Sequence, residues 1–257
     1  VNHSESKLLF TSDQIWENLD ESEIPEVRGI FSITKPRCLY QQNGEKFDLI
    51  LRQIDDEIKS RYPNGYSSDD IKYTEVDNSD VVLLNYTSGT TGFSKGVMLT
   101  ANNLAGNVVF ASTIDVLNRG ETIVSFLPLA HAYGAAFEFL YSLSAGAHTI
   151  LLGKIPSPKI LLQAFAEYKP NLVVTVPLVI EKIYKKTILP QLEKPMVKVA
   201  MSIPVVNNKI YSKIRNKLTN AFGGNFRQVI IGGAAFNKEV EAFLYKIKFP
   251  FTVGYGM

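Results

Sequence analysis

The run Tyr86-Thr87-Ser88-Gly89-Thr90-Thr91-Gly92-Phe93-Ser94-Lys95-Gly96 restricts this chain more than any other stretch. It leaves an apolar run at 81–86 that reads as a buried strand, and Thr100 beyond it reads as the cap of a helix reaching about Asp115. Gly89, Gly92 and Gly96 let the backbone turn where a Cβ would clash, and bring N–H groups close to an anion. The hydroxyls of Thr87, Ser88, Thr90 and Thr91 can donate to phosphate oxygens or contact a cation, and Lys95 adds a mobile positive charge. This is not a Walker A loop, because Gly96 rather than Ser or Thr follows Lys95; nor is it GxGxxG. A flexible linker is the plain alternative, but a linker has no need of a strand before it, a capped helix after it and a lysine inside.

What surrounds the loop gives the fold class. Expected strands at 122–126, 149–152, 172–176, 228–231 and 251–254 alternate with expected helices at 132–144, 158–168, from Pro177 onward, 207–221 and 238–246. That alternation implies βαβ units: an α/β fold with a mainly parallel sheet flanked by helices. Ligands of such sheets bind beyond the carboxyl ends of the strands, so the loops after Tyr86, Phe126, Ile231 and Val253 are the places to look. Residues 1–78 read as a partial α/β subdomain and linker, with apolar runs at 7–11 and 28–33 and a polar, turn-rich stretch at 62–80. Residues 79–257 read as the α/β subdomain that carries the loop.

Composition narrows the classes. A net charge of +2, with 46% hydrophobic and 20% charged residues, is ordinary for a globular protein and gives no basis for a nucleic-acid partner. The single cysteine, Cys38, cannot form an internal disulfide and reads as a small buried hydrophobe. No apolar run reaches the ~18 residues of a spanning helix. The lysines and arginines at 182–186 and 209–217 read as solvated helix faces. A cytoplasmic protein is expected, with peripheral contact at the inner face of a membrane left open; oligomeric state is not legible. The first residues lack a signal-peptide layout and an initiating Met, so the chain is expected to begin inside a longer protein.

Three further segments carry chemistry. Leu127-Pro128-Leu129-Ala130-His131-Ala132-Tyr133-Gly134 places His131 between a strand and an apolar helix. Taken alone, such a histidine is more often structural, and the aromatic residues after it (Tyr133, Phe137, Phe139, Tyr141) either line an apolar tunnel or pack on the sheet. Ile230-Ile231-Gly232-Gly233-Ala234-Ala235 ends a strand with room for a flat group against the backbone. Val253-Gly254-Tyr255-Gly256-Met257 sets an aromatic face between glycines.

With these segments in view, the run from Tyr86 to Val97 resembles the phosphate-binding signature of adenylate-forming enzymes, which include acyl-CoA synthetases, nonribosomal-peptide adenylation domains and firefly luciferase. The resemblance covers essentially the whole chain, as the centre of the large N-terminal domain. It implies that Thr87, Ser88, Gly89, Thr90, Thr91, Gly92 and Lys95 hold the phosphates of ATP, with Thr87 also touching Mg2+. It implies that Gly232, Gly233 and Ala234 flank adenine on one side, and Gly254, Tyr255 and Gly256 on the other. The Leu-Pro-x-x-His segment resembles that of acyl-CoA synthetases, and implies that His131 lies near the carboxylate of the acyl substrate with Tyr133 and Phe137 beside it.

The implied reaction is attack of a carboxylate on ATP to give acyl-AMP and pyrophosphate, then displacement of AMP by CoA. The text of the chain looks most like the long-chain fatty acid branch. The family pattern continues past Met257 into a magnesium-binding Glu and, later, a small domain with a catalytic Lys, so this chain on its own is expected to lack useful turnover. Amino-acid or aryl-acid adenylation is the second reading. Peptide synthetases tend to carry Phe-Asp where this chain has Ala130-His131, which weighs against it. A catalytically silent nucleotide- or acyl-binding module is the third reading. A P-loop NTPase lacks its Lys-Ser/Thr pair here.

Overall fold

The computed structural model describes residues 1–88, 94–153, 155–201 and 204–254. The chain forms two compact units: Val1–Asp77 with Tyr86–Val97, and Asn78–Asn85 with Met98–Met257.

In the first unit, β1 (Leu8–Thr11) pairs parallel with β2 (Gly29–Ser32), and β2 pairs antiparallel with β3 (Cys38–Gln41), with a register shift between Ile30 and Phe31. The apolar runs at 7–11 and 28–33 mark β1 and β2, whereas β3 and helix Phe47–Arg61 had no clear signal. That helix seats Phe47 where a Cβ on Gly29 would be, 2.8 Å from the ring, so Gly29 makes the room for it. Cys38 is half-buried on β3; its Sγ donates to the Tyr40 carbonyl at 3.1 Å, and burial pushes the thiol up from its ordinary value. A thiol held protonated in this way is a poor nucleophile.

β4 (Val81–Ser88) and β5 (Ser94–Thr100) form a two-stranded sheet. This corrects the expected layout: the glycine-rich run leads into a second strand, not directly into a helix. The expectation of a buried strand at 81–86 also fails. Val81, Val82, Leu83 and Leu84 remain 38–51% exposed, since a two-stranded ribbon leaves both strands as edges. After β5 the chain enters helix Ala101–Ile114 through the expected cap. Thr100 Oγ1 accepts from Asn103 N at 3.2 Å, and Asn103 Oδ1 accepts from Thr100 N at 2.9 Å, which satisfies two of the helix's free donors.

The second unit is built on five parallel strands: β6 (Thr122–Ser125), β7 (His148–Leu151), β8 (Leu172–Thr175), β9 (Gln228–Ile231) and β10 (Phe251–Val253), in the order β10-β9-β8-β6-β7. All four residues of β8 are buried, as befits a strand covered on both faces. Crossovers between parallel strands are right-handed as a rule, which for this strand order assigns the helices to two layers. Helix Ala101–Ile114 packs with the helical segment Ala132–Ser144, while Pro158–Tyr168, Pro177–Ile183, Pro204–Ala221 and Lys238–Lys246 share the other face. The second layer is joined by aromatic contacts: Phe165 stacks on Phe222, and Phe243 meets both Tyr184 and Tyr211. Among the described residues, no helix is long and apolar enough to cross a membrane.

The strand order positions the site. After β6 the chain moves outward to β7, then crosses back over β6 to lay down β8, β9 and β10. The order therefore reverses between β6 and β8, and the loops leaving their carboxyl ends diverge there. In open α/β sheets, that divergence opens the crevice where ligands bind.

Candidate functional site

Three strand ends at the carboxyl edge of the sheet carry the candidate segments. β6 delivers the segment with His131, β9 delivers Gly232 to Ala235, and β10 delivers Gly254. The Gly254 amide donates to the Ile231 carbonyl at 2.8 Å, which continues the β9–β10 pairing one step past the strands and sets Gly254 beside the glycine pair. Gly232 N donates to Thr175 O at 3.0 Å and extends the ladder on the other side.

Tyr133 spans the gap from the β6 side. Its hydroxyl donates to the Ile230 carbonyl at 3.2 Å, and a Cβ on Gly232 would lie 2.9 Å from its Cζ. Gly233, at φ +81°, is 3.5 Å from the same ring and 3.6 Å from Val176 Cγ1 by the same measure. A residue placed by sequence on the acyl side and a glycine pair placed on the adenine side are thus in contact. The flat group lying against buried Gly232 is the protein's own phenol ring. Gly233, Ala234 and Ala235 remain exposed and form the open part of this strand end. Burial and the nearby Glu138 carboxylate hold the Tyr133 hydroxyl well above the ordinary phenol range, so it stays protonated as a hydrogen-bond donor.

His131 is the N-cap residue of the helix that carries Tyr133, with its side chain exposed and its amide donating to Pro128 O at 3.0 Å. Phe137 meets Tyr133 edge-on, with ring centroids 5.5 Å apart. The other two aromatic residues of this helix go elsewhere. Tyr141 is buried in the core with its hydroxyl toward Leu117 O at 3.5 Å, and Phe139 is 36% exposed. The aromatic face next to the crevice is therefore Tyr133 and Phe137, because a helix turns the other two away.

In the glycine-rich run, Thr87 and Lys95 are exposed, on β4 and β5 respectively. Ser88 ends β4. Gly89, Thr90, Thr91 and Gly92 lie outside the described residues, as do Tyr255 and Gly256. Gly96 serves packing: a Cβ there would be 3.2 Å from Tyr86 Cζ. Tyr86 in turn shares a 2.7 Å hydrogen bond with His3 Nδ1, a partner with no signal in the sequence. Among the described residues, no three of His, Cys, Asp and Glu come together as a metal site. Thr87 offers a single exposed hydroxyl, which is too few oxygens to hold a magnesium ion, so the described residues do not by themselves fit that ion.

The sequence reading missed Glu138, the one acid inside the apolar helix after His131. It is fully buried, and its Oε2 accepts from Leu127 N at 2.9 Å and from Phe126 N and Ser125 Oγ at 3.0 Å. Burial pushes its carboxyl up to about 7, against the lowering effect of those three hydrogen bonds. A lone acid flanked by Phe137 and Phe139 was the signal available. Two open concavities, of about 500 Å³ beside Gln14 to Ile24 and about 620 Å³ beside Lys159, Lys182 and Lys186, include none of the residues of these segments.

Comparison with known proteins identifies the family. The profile of the AMP-binding enzymes matches residues 1–257. Long chain acyl-CoA synthetase 5 of Arabidopsis thaliana is 25% identical over 278 residues, covering 95% of this chain and 39% of that protein. Long-chain-fatty-acid--CoA ligase FadD15 of Mycobacterium tuberculosis is 30% identical over 206 residues, covering 70% of this chain and 33% of that protein. The chain thus spans well under half the length of these relatives. The inhibitor-bound crystal structure of the N-terminal domain of FACL13 from Mycobacterium tuberculosis shares the fold, with a TM-score of 0.62 at 17% identity over 99% of this chain and 51% of that one. Matched along its whole length, the chain belongs to the AMP-binding enzyme family.

Proposed function

We propose that the protein carrying this chain activates a long-chain fatty acid with ATP and passes the acyl group to CoA. The fatty carboxylate attacks the α-phosphorus and expels pyrophosphate, and the CoA thiol then displaces AMP from the acyl-adenylate. The observation that carries this reading is the contact of Tyr133 with Gly232 and Gly233. It joins the segment expected at the acyl group to the segment expected at adenine, as a reaction between carboxylate and nucleotide requires. The names of the relatives support a fatty acid as the acyl donor.

In this reading Thr87, Ser88 and Lys95, with the intervening glycines and threonines, hold the β- and γ-phosphates. Gly233 to Ala235 and the Gly254 segment frame adenine, and His131 faces the carboxylate with Tyr133 and Phe137 beside it. Both units belong to the large domain of the enzyme. Fatty-acid-dependent exchange of pyrophosphate into ATP, measured over a series of chain lengths with amino and aryl acids as controls, tests the proposal. Exchange with an amino or aryl acid and none with fatty acids would replace it.

A further inference from the structure

We propose that Glu138 is a positioning residue for the His131 segment, clamping the chain where it leaves β6 by accepting three hydrogen bonds on one carboxylate oxygen. The proposal rests on the reading that His131 faces the acyl carboxylate.

The donors are Ser125 Oγ, Phe126 N and Leu127 N, three residues in a row at the carboxyl end of β6. Phe126 and Leu127 are buried just past the strand, where their amides would otherwise lack a partner. Leaving a buried amide unpaired is costly, so a side chain that satisfies both, together with a hydroxyl, holds this corner in one geometry. Gly134, four residues before Glu138, grips the same segment. A Cβ there would be 2.9 Å from Pro128 O and 3.1 Å from Leu127 Cβ, so only glycine lets the helix come this close. Pro128 O then accepts from His131 N and closes the turn that presents the histidine. Only Leu127 and the Pro128 turn lie between the carboxylate and His131.

The choice of a carboxylate is itself informative. Oε1 is buried with no hydrogen-bond partner. Among the described residues no cation faces it: β6 and helix Ala101–Ile114, which both pack on this stretch, contain no ionisable side chain, and Tyr133 on its own helical segment is the titratable neighbour. A buried ionisable group without a counter-charge is costly, and a neutral amide could accept the same bonds. The helix also runs at π pitch over Ala135–Leu140, the stretch that carries Glu138. Such widened turns are frequent at functional sites.

The test compares Glu138→Gln and Glu138→Leu with the parent in the protein that carries this chain. Amide hydrogen exchange at Phe126 and Leu127 is read against Val124, alongside the kcat and KM of fatty-acid-dependent pyrophosphate exchange over pH. With Glu138→Leu, protection of the two amides drops and kcat falls about 10- to 100-fold, the cost of misplacing a reacting group by an ångström. KM for ATP stays within about threefold, because no ATP contact is removed. Glu138→Gln restores most of both and removes an inflection of kcat near neutral pH. Unchanged protection, or lost protection with unchanged kcat, overturns the proposal. If Glu138→Leu does not fold, the Gln variant decides, and a pH profile identical to the parent's overturns it. If the parent shows no fatty-acid-dependent exchange, the acyl-activation reading fails, and with it the positioning role, while amide exchange still reports whether the clamp exists.

Discussion

The ring of Tyr133 occupies the place where a side chain on Gly232 would begin, 2.9 Å from Cζ and 3.0 Å from the hydroxyl oxygen. Gly232 is not in the left-handed region, so its lack of a side chain serves the ring and not the backbone. Gly232→Ala forces the ring to move and should destabilise the fold by about 1–2 kcal/mol. In a Tyr133→Ala background the same substitution should cost much less. A double-mutant cycle by denaturant unfolding measures the difference, and equal costs in both backgrounds would break the assigned contact.

Gly134→Ala sets two effects against each other. Alanine gains up to about 1 kcal/mol of helix propensity over glycine. Against that, its Cβ would be 2.9 Å from a backbone carbonyl that cannot swing aside, that of Pro128. The steric term should win, giving a net loss of about 1–2 kcal/mol and weaker use of the acyl substrate. Thermal unfolding and fatty-acid KM check it; a stabilised variant would show that the helix and segment 127–128 are farther apart.

Glu138 should make stability depend on pH in an unusual direction. Its carboxyl is raised from 4.5 to about 7 on folding, so between those values the folded state binds more protons than the unfolded one. The stability this contributes is fully present below about pH 4.5 and is lost as pH rises through 7. Relative to Glu138→Gln, the parent should lose up to a few kcal/mol across that window and then level off. Unfolding midpoints of the two proteins at pH 5, 6, 7 and 8 measure the trend, and parallel curves would contradict it.

Lys95→Ala removes an exposed cation from the strand that follows the glycine-rich run. In the protein that carries this chain it should raise KM for ATP about tenfold or more and leave KM for the fatty acid near the parent value. Steady-state kinetics with each substrate varied decides; an unchanged ATP dependence would remove Lys95 from the phosphate site.

Periodicity and capping made much of the second unit legible. Helix Pro158–Tyr168 starts at its proline, helix Ala101–Ile114 starts after Thr100, and β9 falls at 228–231. These elements carry local signals: a proline at the first turn, a hydroxyl cap, a short run of branched apolar residues between polar ones. β5 and helix Phe47–Arg61 were not legible, because their side chains remain largely exposed and so leave little imprint of burial on the sequence; β3, four residues long and mostly half-buried, shows no alternation to read.

By itself, the sequence determined the chemistry available: hydroxyls, glycines and a lysine in one run, a histidine at a helix start, glycines at two strand ends. Family membership followed from the order of those groups along the chain. Only the tertiary structure decided which of them meet. It put Tyr133 on Gly232, sent Tyr141 into the core, and set a carboxylate under the amides of Phe126 and Leu127. The reason is physical: residue type fixes what a group can donate or accept, while contact between residues about a hundred positions apart depends on strand order and on which helix face is buried, and neither is written locally.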